Sequence, residues 1–197
     1  MVAQPHRSRM SVEDYLTFER ANPEVRYEYI DGQVSMLAGG TADHSIISAN
    51  IIRELSFALR GSPCRVYTSD MKVRLSEERY VYPDVSVSCD SHDQGSVEAL
   101  RYPRLIVEVL SPSTEAYDRG KKFSYYRACL TIEEYVLVDT QQQAIEVYRR
   151  EQETFWRLSP LGPGDLVKLQ SLGISFPVAA VYENIAFPEA TENSLSN

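Results

Sequence analysis

The chain has 197 residues, 43% of them hydrophobic and 24% charged, so it can build a substantial core. We expect one domain over residues 1–197, with its core at about 11–184 and frayed tails up to about Arg9 and after about Pro188. No apolar run is long enough to span a bilayer, and the basic N-terminus lacks the apolar stretch of a secretory signal. These features exclude a membrane-embedded protein and predict a cytoplasmic one.

Charge is unevenly distributed along the chain. The formal net charge of −8 disfavours nonspecific attraction of the whole molecule to nucleic acid. The segment 101–127 nevertheless carries a net charge of +3, whereas the segment from residue 151 onward carries −4. A local basic patch can contact phosphates even when the total charge is negative, although chance clustering explains the pattern equally well.

The three cysteines, Cys64, Cys89 and Cys129, are widely spaced and form no C-x-x-C pair. This spacing argues against both a zinc site and a disulfide framework. Cys89 and Cys129 follow apolar segments and are predicted to be small core residues rather than nucleophiles. Unpaired cysteines fit a reducing compartment.

The first part of the chain predicts a helix, a hairpin and a second helix. Ser11, with an acidic residue three positions later, is typical of a helix start, and the helix continues to about Asn22. Asp31-Gly32 separates two strand-like runs and favours a type I′ hairpin turn. A long helix is predicted next, because apolar residues recur there at every fourth position. Asp43 is the residue predicted to cap its start.

The rest of the chain predicts a sheet with a crossover. Three strands come first, at 65–68, 71–75 and 80–89. The continuous apolar run 105–110 predicts a strand that is buried on both faces. A helix that ends near Cys129 and a strand at 134–138 follow it, so the three elements are predicted to form a βαβ unit. A hairpin of two strands follows, at 145–150 and 155–158. After it come two short strands, at 166–169 and 174–176, and a last helix at 178–184.

Two carboxylates within these strands point to chemistry. Burying Glu108 in the run LIVEVL is costly unless a positive group meets it. Asp84 follows Pro83 at a strand start 24 residues earlier, which leaves room for an adjacent strand. Two carboxylates on neighbouring strand ends, with the Val109 carbonyl, can hold one hard divalent cation. The alternatives are an Arg or Lys partner for Glu108 and a turn role for Asp84.

A lysine on the predicted crossover helix can serve this carboxylate pair. Lys122 stands 14 residues after Glu108, and its ammonium could orient a water or stabilise charge that develops on a phosphate. The alternative is a surface pair with Asp118 at i, i+4. Lys121 competes for the same role.

Four segments together resemble the Uma-type family of restriction-type endonucleases, within the PD-(D/E)XK nuclease superfamily. The resemblance runs from about Ser11 to Tyr182. It implies an α/β fold with a restriction-endonuclease-like mixed β-sheet flanked by helices, a β-hairpin and C-terminal β-strands, and also a homodimer. The segments that carry it are Tyr82-Pro83-Asp84, Glu108 to Thr114, Tyr117 to Lys122, and Glu134 to Asp139.

The resemblance also implies roles for individual residues. Asp84 and Glu108 would ligate Mg²⁺ or Mn²⁺, and Lys122 would be the catalytic lysine. Glu28 is implied as an accessory acid, with an ordinary place on the hairpin face as the alternative. His44 occupies a family-like position, although a role at the helix start suits it better than that of a ligand.

One position departs from the superfamily pattern. The lysine of the (D/E)XK motif should stand two residues after the acid, on the same strand face. Leu110 occupies that position, so Lys122 would be a lysine that has moved to the following helix.

These features predict a metal-dependent endonuclease that hydrolyses nucleic-acid phosphodiester bonds, DNA more than RNA. Arg101, Arg104 and Arg119 are predicted to contact backbone phosphates. One alternative is a catalytically silent nuclease-fold module that binds nucleic acid or another partner, which the net negative charge and Leu110 favour. Another is a glycosidase with a carboxylate pair, which the single tryptophan, Trp156, disfavours.

Overall fold

The protein is described here by a computed structural model that covers residues 9–37, 39–95 and 97–187. The tails predicted up to about Arg9 and after about Pro188 lie almost wholly outside these residues. Within them, the strands form sheets of six, four and two strands, with helices packed against the largest. None of the helices in these ranges has the length and apolarity needed to cross a membrane.

The elements follow the predicted order along the chain. The helices are α1 (Val12–Ala21), α2 (Ala42–Ala58), α3 (Glu115–Tyr117), α4 (Phe123–Ala128) and α5 (Val178–Val181), with a 3₁₀ turn at Ser91–Asp93 and a π-helical turn, Asp118–Lys122, between α3 and α4. The strands are β1 (Tyr27–Ile30), β2 (Gln33–Met36), β3 (Arg65–Thr68), β4 (Val73–Ser76), β5 (Arg79–Val81), β6 (Val85–Ser88), β7 (Pro103–Val109), β8 (Glu134–Val138), β9 (Ile145–Arg150), β10 (Trp156–Leu161), β11 (Leu166–Leu169) and β12 (Ile174–Pro177).

The six-stranded sheet has the order β10-β9-β8-β7-β6-β3. β7 and β8 pair in parallel and the other neighbours pair antiparallel, so the sheet is mixed. One face packs against α2 through Ile47 and Leu55, and the opposite face packs against α4 through Tyr126. Because helices cover both faces, β7 and β8 are almost entirely apolar, as the run 105–110 predicts. The predicted mixed α/β architecture is confirmed.

The four-stranded sheet, with the order β2-β1-β5-β4, is antiparallel throughout. Asp31 and Gly32 connect β1 to β2 with φ angles of 50° and 90°, which are the left-handed angles of the predicted hairpin turn. Helix α1 packs on this sheet through Tyr15, whose ring lies 4.9 Å from that of Tyr29, centroid to centroid. Its start is as predicted, because the Ser11 hydroxyl accepts a hydrogen bond from the backbone of the first turn.

The predicted strand 80–89 is divided between the two sheets. Its first part belongs to β5 of the four-stranded sheet, and its second part is β6 of the six-stranded sheet. The break falls at Tyr82-Pro83-Asp84, because proline has no N–H to continue a ladder. The chain therefore changes sheets immediately before Asp84, which sets that carboxylate where the two sheets meet.

One predicted helix start is wrong. Thr41, not Asp43, caps α2, since its hydroxyl accepts a hydrogen bond from the backbone N–H of His44 at 3.2 Å. The crossover helix begins at Glu115, directly after Thr114, and contains the π-helical turn. The extra residue in that turn rotates the side chains that follow it relative to an unbroken α-helix.

The prediction of unpaired cysteines is wrong for two of the three. Cys64 and Cys89 form a disulfide, whereas Cys129 is a buried free cysteine, as predicted. The pairing follows from the sheet register, because Arg65 of β3 lies opposite Ser88 of β6. The two cysteines are the next residues outward from that pair, a neighbourhood that spacing along the chain does not reveal.

Candidate active site

The register of the central sheet brings the two predicted carboxylates together. β6 runs antiparallel to β7 with Val85 opposite Val107, so Asp84, just before β6, lies beside Glu108 near the end of β7. The Asp84 carboxylate accepts a hydrogen bond from the backbone N–H of Val109, with 2.7 Å between Oδ2 and N. Both acids therefore occupy neighbouring strand ends, as the sequence predicts.

Lys122 lies at the centre of this region. Its Nζ is 2.9 Å from Oε1 of Glu108 and 3.2 Å from Oε1 of Glu28, and it lies 3.9 Å from Oδ1 of Asp118. All four side chains are almost fully buried, so the contact with Asp118 is not the surface pair considered above. Lys121 is exposed instead. Of the two lysines, the structure brings only Lys122 to the carboxylates.

Tyr126 and Asp118 complete the cluster, and the sequence reasoning assigned neither of them to it. The Tyr126 hydroxyl, fully buried, donates a hydrogen bond to Oε1 of Glu108 at 2.5 Å. Both residues stand four positions from Lys122, so the helical repeat was a signal that could have found them. The signal was weak because the π-helical turn changes which residues share a face.

His44 approaches the site from the first turn of α2. Its Nε2 lies 3.3 Å from Oδ2 of Asp84, and the hydrogen bond to this carboxylate raises the pKa of the imidazole. Gly40 provides the space for the ring, because a Cβ there would lie 2.8 Å from the His44 Nδ1. His44 is thus more than a helix-start residue: it contacts one of the two predicted metal ligands.

The cluster contains more carboxylates than cationic side chains. The carboxylates of Glu28, Glu108 and Asp118 surround the Lys122 ammonium, and that of Asp84 lies near Glu108. Burial raises the pKa of Glu108 to about 8, nearby Asp84 and Asp118 raise it too, and Lys122 acts in the opposite direction. Burial acts to lower the pKa of Lys122, but the surrounding carboxylates raise it well above its ordinary value.

The donor atoms at this site suit a hard divalent cation. Nowhere in residues 9–37, 39–95 and 97–187 do three Asp, Glu, His or Cys side chains converge on one metal position. A cation here would therefore rely on the carboxylates of Asp84 and Glu108, the Val109 carbonyl and water, an all-oxygen set that Mg²⁺ and Mn²⁺ accept. The excess of buried carboxylates supplies the negative charge that such a cation would offset.

The three predicted phosphate-binding arginines lie elsewhere or are already paired. Arg101 precedes β7 and Arg104 lies near its start, whereas Glu108 is near its end. Arg119, in the π-helical turn, directs its guanidinium to carboxylates on both sides, with Nη1 2.6 Å from Oε2 of Glu146 on β9. The structure brings none of the three to Lys122, so their role in phosphate contact stays a prediction.

The arrangement of elements is similar to that of a protein of known structure. A crystal structure from Anabaena variabilis, of "a putative nuclease belonging to DUF820", matches with a TM-score of 0.72. The match covers 88% of this chain and 97% of that chain, at 19% sequence identity. The protein is therefore of the α/β class with a nuclease fold, as the resemblance implied.

The sequence places the chain within this class. Residues 12–179 match the Uma2 family, described as "Putative restriction endonuclease", and the chain belongs to that family. The uncharacterized protein slr1290 of Synechocystis sp. is 38% identical over 180 residues, 91% of this chain and 94% of the relative. A second uncharacterized protein of that organism, sll1609, is 32% identical over 155 residues, 77% of this chain and 87% of the relative. The family resemblance is confirmed.

Proposed function

We propose that this protein is a metal-dependent nuclease that hydrolyses phosphodiester bonds, with DNA as its substrate in preference to RNA. The observation that carries the proposal is a group of three carboxylates around one buried lysine, with that of Asp84 beside them, where β6 begins and β7 ends. This chain belongs to a family described as restriction endonucleases, a description that implies cleavage of DNA.

In this proposal Asp84, Glu108 and the Val109 carbonyl would hold Mg²⁺ or Mn²⁺. The ion would supply Lewis acidity at the scissile phosphate and lower the pKa of a water molecule. Lys122 donates hydrogen bonds to the attacking water or to a phosphate oxygen and stabilises the negative charge that develops there.

Two further residues position the acids. Tyr126 fixes the orientation of Glu108 through its hydroxyl, and His44 holds Asp84. Glu28, which the sequence suggested as an accessory acid, contacts Lys122 and also accepts a hydrogen bond from the backbone N–H of Tyr82 at 3.2 Å. We assign Glu28 the role of orienting the Lys122 ammonium.

The test is nicking of supercoiled plasmid DNA with Mg²⁺, Mn²⁺, Ca²⁺ or EDTA. We expect cleavage by the wild type with Mg²⁺ or Mn²⁺, and loss of cleavage in Asp84→Asn and Glu108→Gln. Glu134→Gln is a matched control, because Glu134 is also buried but is bound by the backbone N–H groups of Gln170 and Ser171. Equal cleavage by all four proteins, or none by the wild type on DNA or RNA, would falsify the proposal.

A second candidate is a catalytically silent module that binds nucleic acid. It is favoured by the Lys122 ammonium, which already lies 2.9 Å from the Glu108 carboxylate that a metal would use. Calorimetric titration with Mn²⁺ separates the two candidates. Tight binding that is lost in Glu108→Ala supports the nuclease, whereas no binding by the wild type, together with retention of DNA in a gel-shift assay, supports the silent module.

The oligomeric state and cellular location stay predictions. We propose a homodimer, which the family resemblance implied, and light scattering coupled to size exclusion tests it directly. A mass near the 22.4 kDa of one chain would contradict it.

A cytoplasmic location was predicted partly from unpaired cysteines, and the Cys64–Cys89 disulfide removes that part of the argument.

A further inference from the structure

A groove of about 370 Å³ opens beside the candidate active site. The β1–β2 hairpin forms one wall, and the helical segment from α3 to α4 forms the other. Its volume lies within the roughly 300–1,000 Å³ of small-molecule sites. The side chains that line it are Arg9, Glu28, Ile30, Asp31, Gln33, Ser35, Tyr117, Lys121 and Tyr125.

The helical wall of the groove presents one exposed aromatic ring beside a lysine. Tyr117, Lys121 and Tyr125 follow one another at intervals of four residues and all line the groove. Tyr117 is 37% exposed, although it is large and aromatic. Tyr125 is buried, and the Arg79 guanidinium carbon lies over its ring, 4.4 Å from the centroid, so a cation–π contact occupies that face.

The unpaired charge in the groove is positive. Asp31 is neutralised by Arg79, whose Nε and Nη2 each lie 2.9 Å from one of its carboxylate oxygens. Glu28 contacts Lys122. Arg9 and Lys121 are exposed, and neither forms an ion pair with another residue in the described part of the chain. The groove thus offers two cationic side chains and the exposed ring of Tyr117 to a ligand.

Glu28 connects the groove to the catalytic cluster. It lines the groove and its carboxylate lies 3.2 Å from the Lys122 ammonium, which in turn contacts Glu108. A ligand lying along the helical wall therefore ends next to the residues proposed to cleave a phosphodiester. Burial raises the pKa of the Tyr117 hydroxyl to about 12, nearby Glu28 raises it too, and Lys122 acts in the opposite direction, so Tyr117 belongs to the same region.

We propose, resting on the nuclease function above, that this groove binds an unpaired nucleotide of the substrate. The base stacks on Tyr117, and the adjacent phosphates lie against Lys121 and Arg9. Stacking on aromatic side chains beside a cationic surface is the physical basis of single-strand binding. A base within a duplex presents no free face to this ring, so the substrate is DNA that is single-stranded or locally unpaired near the scissile bond.

Fluorescence anisotropy in EDTA tests the proposal without any cleavage. The probe is a labelled single-stranded 12-nucleotide DNA, compared with the same sequence as a duplex, as RNA, and with abasic positions. The wild type should bind single-stranded DNA more tightly than the duplex or the abasic strand. Tyr117→Ala should weaken this binding about 5- to 150-fold, since stacking contributes about 1–3 kcal/mol per base, whereas Tyr117→Phe, which keeps the ring, should bind like the wild type.

A second variant tests the phosphate contact. Lys121→Gln should lower the dependence of log K on log[salt] by about 0.7, the loss of one phosphate contact with a single strand. Arg60→Gln, an exposed arginine at the end of α2, is the matched control and should leave the slope unchanged.

The outcomes separate this proposal from the function it rests on. Equal affinity of wild type and Tyr117→Ala, or preference for the duplex or the RNA strand, overturns the groove assignment even if plasmid nicking succeeds. Stacking-dependent binding of DNA by a protein that never cleaves it would retain the groove and reject the nuclease. Equal binding of the abasic strand would show that only the phosphates are recognised, and would also overturn the proposal.

Discussion

Two lysines of this protein, Lys72 and Lys122, are almost fully buried, and the number of acids around them differs. Among the described residues Lys72 forms an ion pair with one carboxylate, that of Glu19. The same carboxylate accepts hydrogen bonds from the hydroxyls of Tyr15 and Tyr82. This pair is balanced in charge and its acceptors are satisfied, which is what keeps a buried ion pair stable in the folded protein.

Lys122 is outnumbered by its partners. The carboxylates of Glu28, Glu108 and Asp118 lie within 3.9 Å of its ammonium, and that of Asp84 lies beside the cluster. Keeping all of these buried carboxylates ionised is costly unless something else offsets their charge, and burial accordingly raises the pKa of Glu108 to about 8. The comparison teaches that charge balance, rather than burial, separates an ion pair that holds two elements together from a group of residues arranged for a cation or a substrate.

The largest expected effect is on the balanced pair. Lys72→Met leaves Glu19 buried without its cation and should lower the free energy of unfolding by about 3–5 kcal/mol. Urea unfolding followed by circular dichroism measures this change. The folded fraction should nick DNA at the wild-type rate, because Lys72 lies outside the catalytic cluster. A specific loss of activity in folded Lys72→Met would break the comparison.

The next effect concerns the outnumbered lysine. Lys122→Met should lower the nicking rate by about 10²–10³-fold, the range for removing a donor that stabilises a developing negative charge. Initial rates on supercoiled plasmid at saturating Mg²⁺ provide the measurement, with the circular dichroism spectrum as a check on folding. Lys168→Met, an exposed lysine of β11, is the control, and a larger loss in Lys121→Met than in Lys122→Met would reassign the catalytic lysine.

A third prediction tests whether Mg²⁺ binds at the carboxylates around Lys122. Mg²⁺ at 100 times its Kd should stabilise the wild type by about 2.7 kcal/mol, since it binds the folded state alone. The shift should vanish in Asp84→Asn and Glu108→Gln and persist in Glu19→Gln, which changes the balanced pair. Thermal unfolding with and without Mg²⁺ reports it, and an equal shift in all four proteins would mean that the ion binds elsewhere.

The smallest effect is expected at an exposed ion pair. The hydrogen bonds from Arg79 lower the pKa of Asp31 below its ordinary value. The pair therefore stabilises the folded protein at a pH above the pKa that Asp31 has in the unfolded chain. This contribution is lost as the pH falls through the pKa of Asp31 in the folded protein. The Asp31 side chain is 45% exposed, so solvent screening limits Asp31→Asn to about 0.5–1 kcal/mol at pH 7.

Urea titrations of Asp31→Asn and wild type at pH 7 and pH 3 measure this difference. Asparagine tolerates the positive φ angle of this position, so the backbone should not contribute. A difference that persists undiminished at pH 3 would contradict an electrostatic origin.

The sequence predicted the proximity of the two acids better than the full membership of the cluster. Asp84 and Glu108 were found because a carboxylate inside an apolar strand and another beside a proline need an explanation, and strand pairing then brings them together. Tyr126 was missed because a buried tyrosine on a helix is typical of core packing. Its hydrogen bond to Glu108 depends on the helical phase through the π-helical turn, which no local pattern predicts.

The arginines and cysteines show where reasoning along the chain fails. Net charge over a segment favoured Arg101, Arg104 and Arg119, yet strand direction places the first two toward the other end of β7 from Glu108. The Cys64–Cys89 bond depends on the pairing of β3 with β6, a contact between segments 25 residues apart. Both depend on tertiary geometry rather than on composition.

The change of sheets at Pro83 places the cluster at the junction of the two larger sheets, which also share the apolar core that contains Val81 and Ile106. Glu28 stands on β1 of the four-stranded sheet, Glu108 on β7 of the six-stranded sheet, and the Lys122 ammonium bridges them. A substitution that loosens the docking of the hairpin layer would disperse these groups while each layer kept its own ladder. Nuclease activity should therefore be lost at a lower denaturant concentration than secondary structure. Activity would then report on the packing between the two sheets.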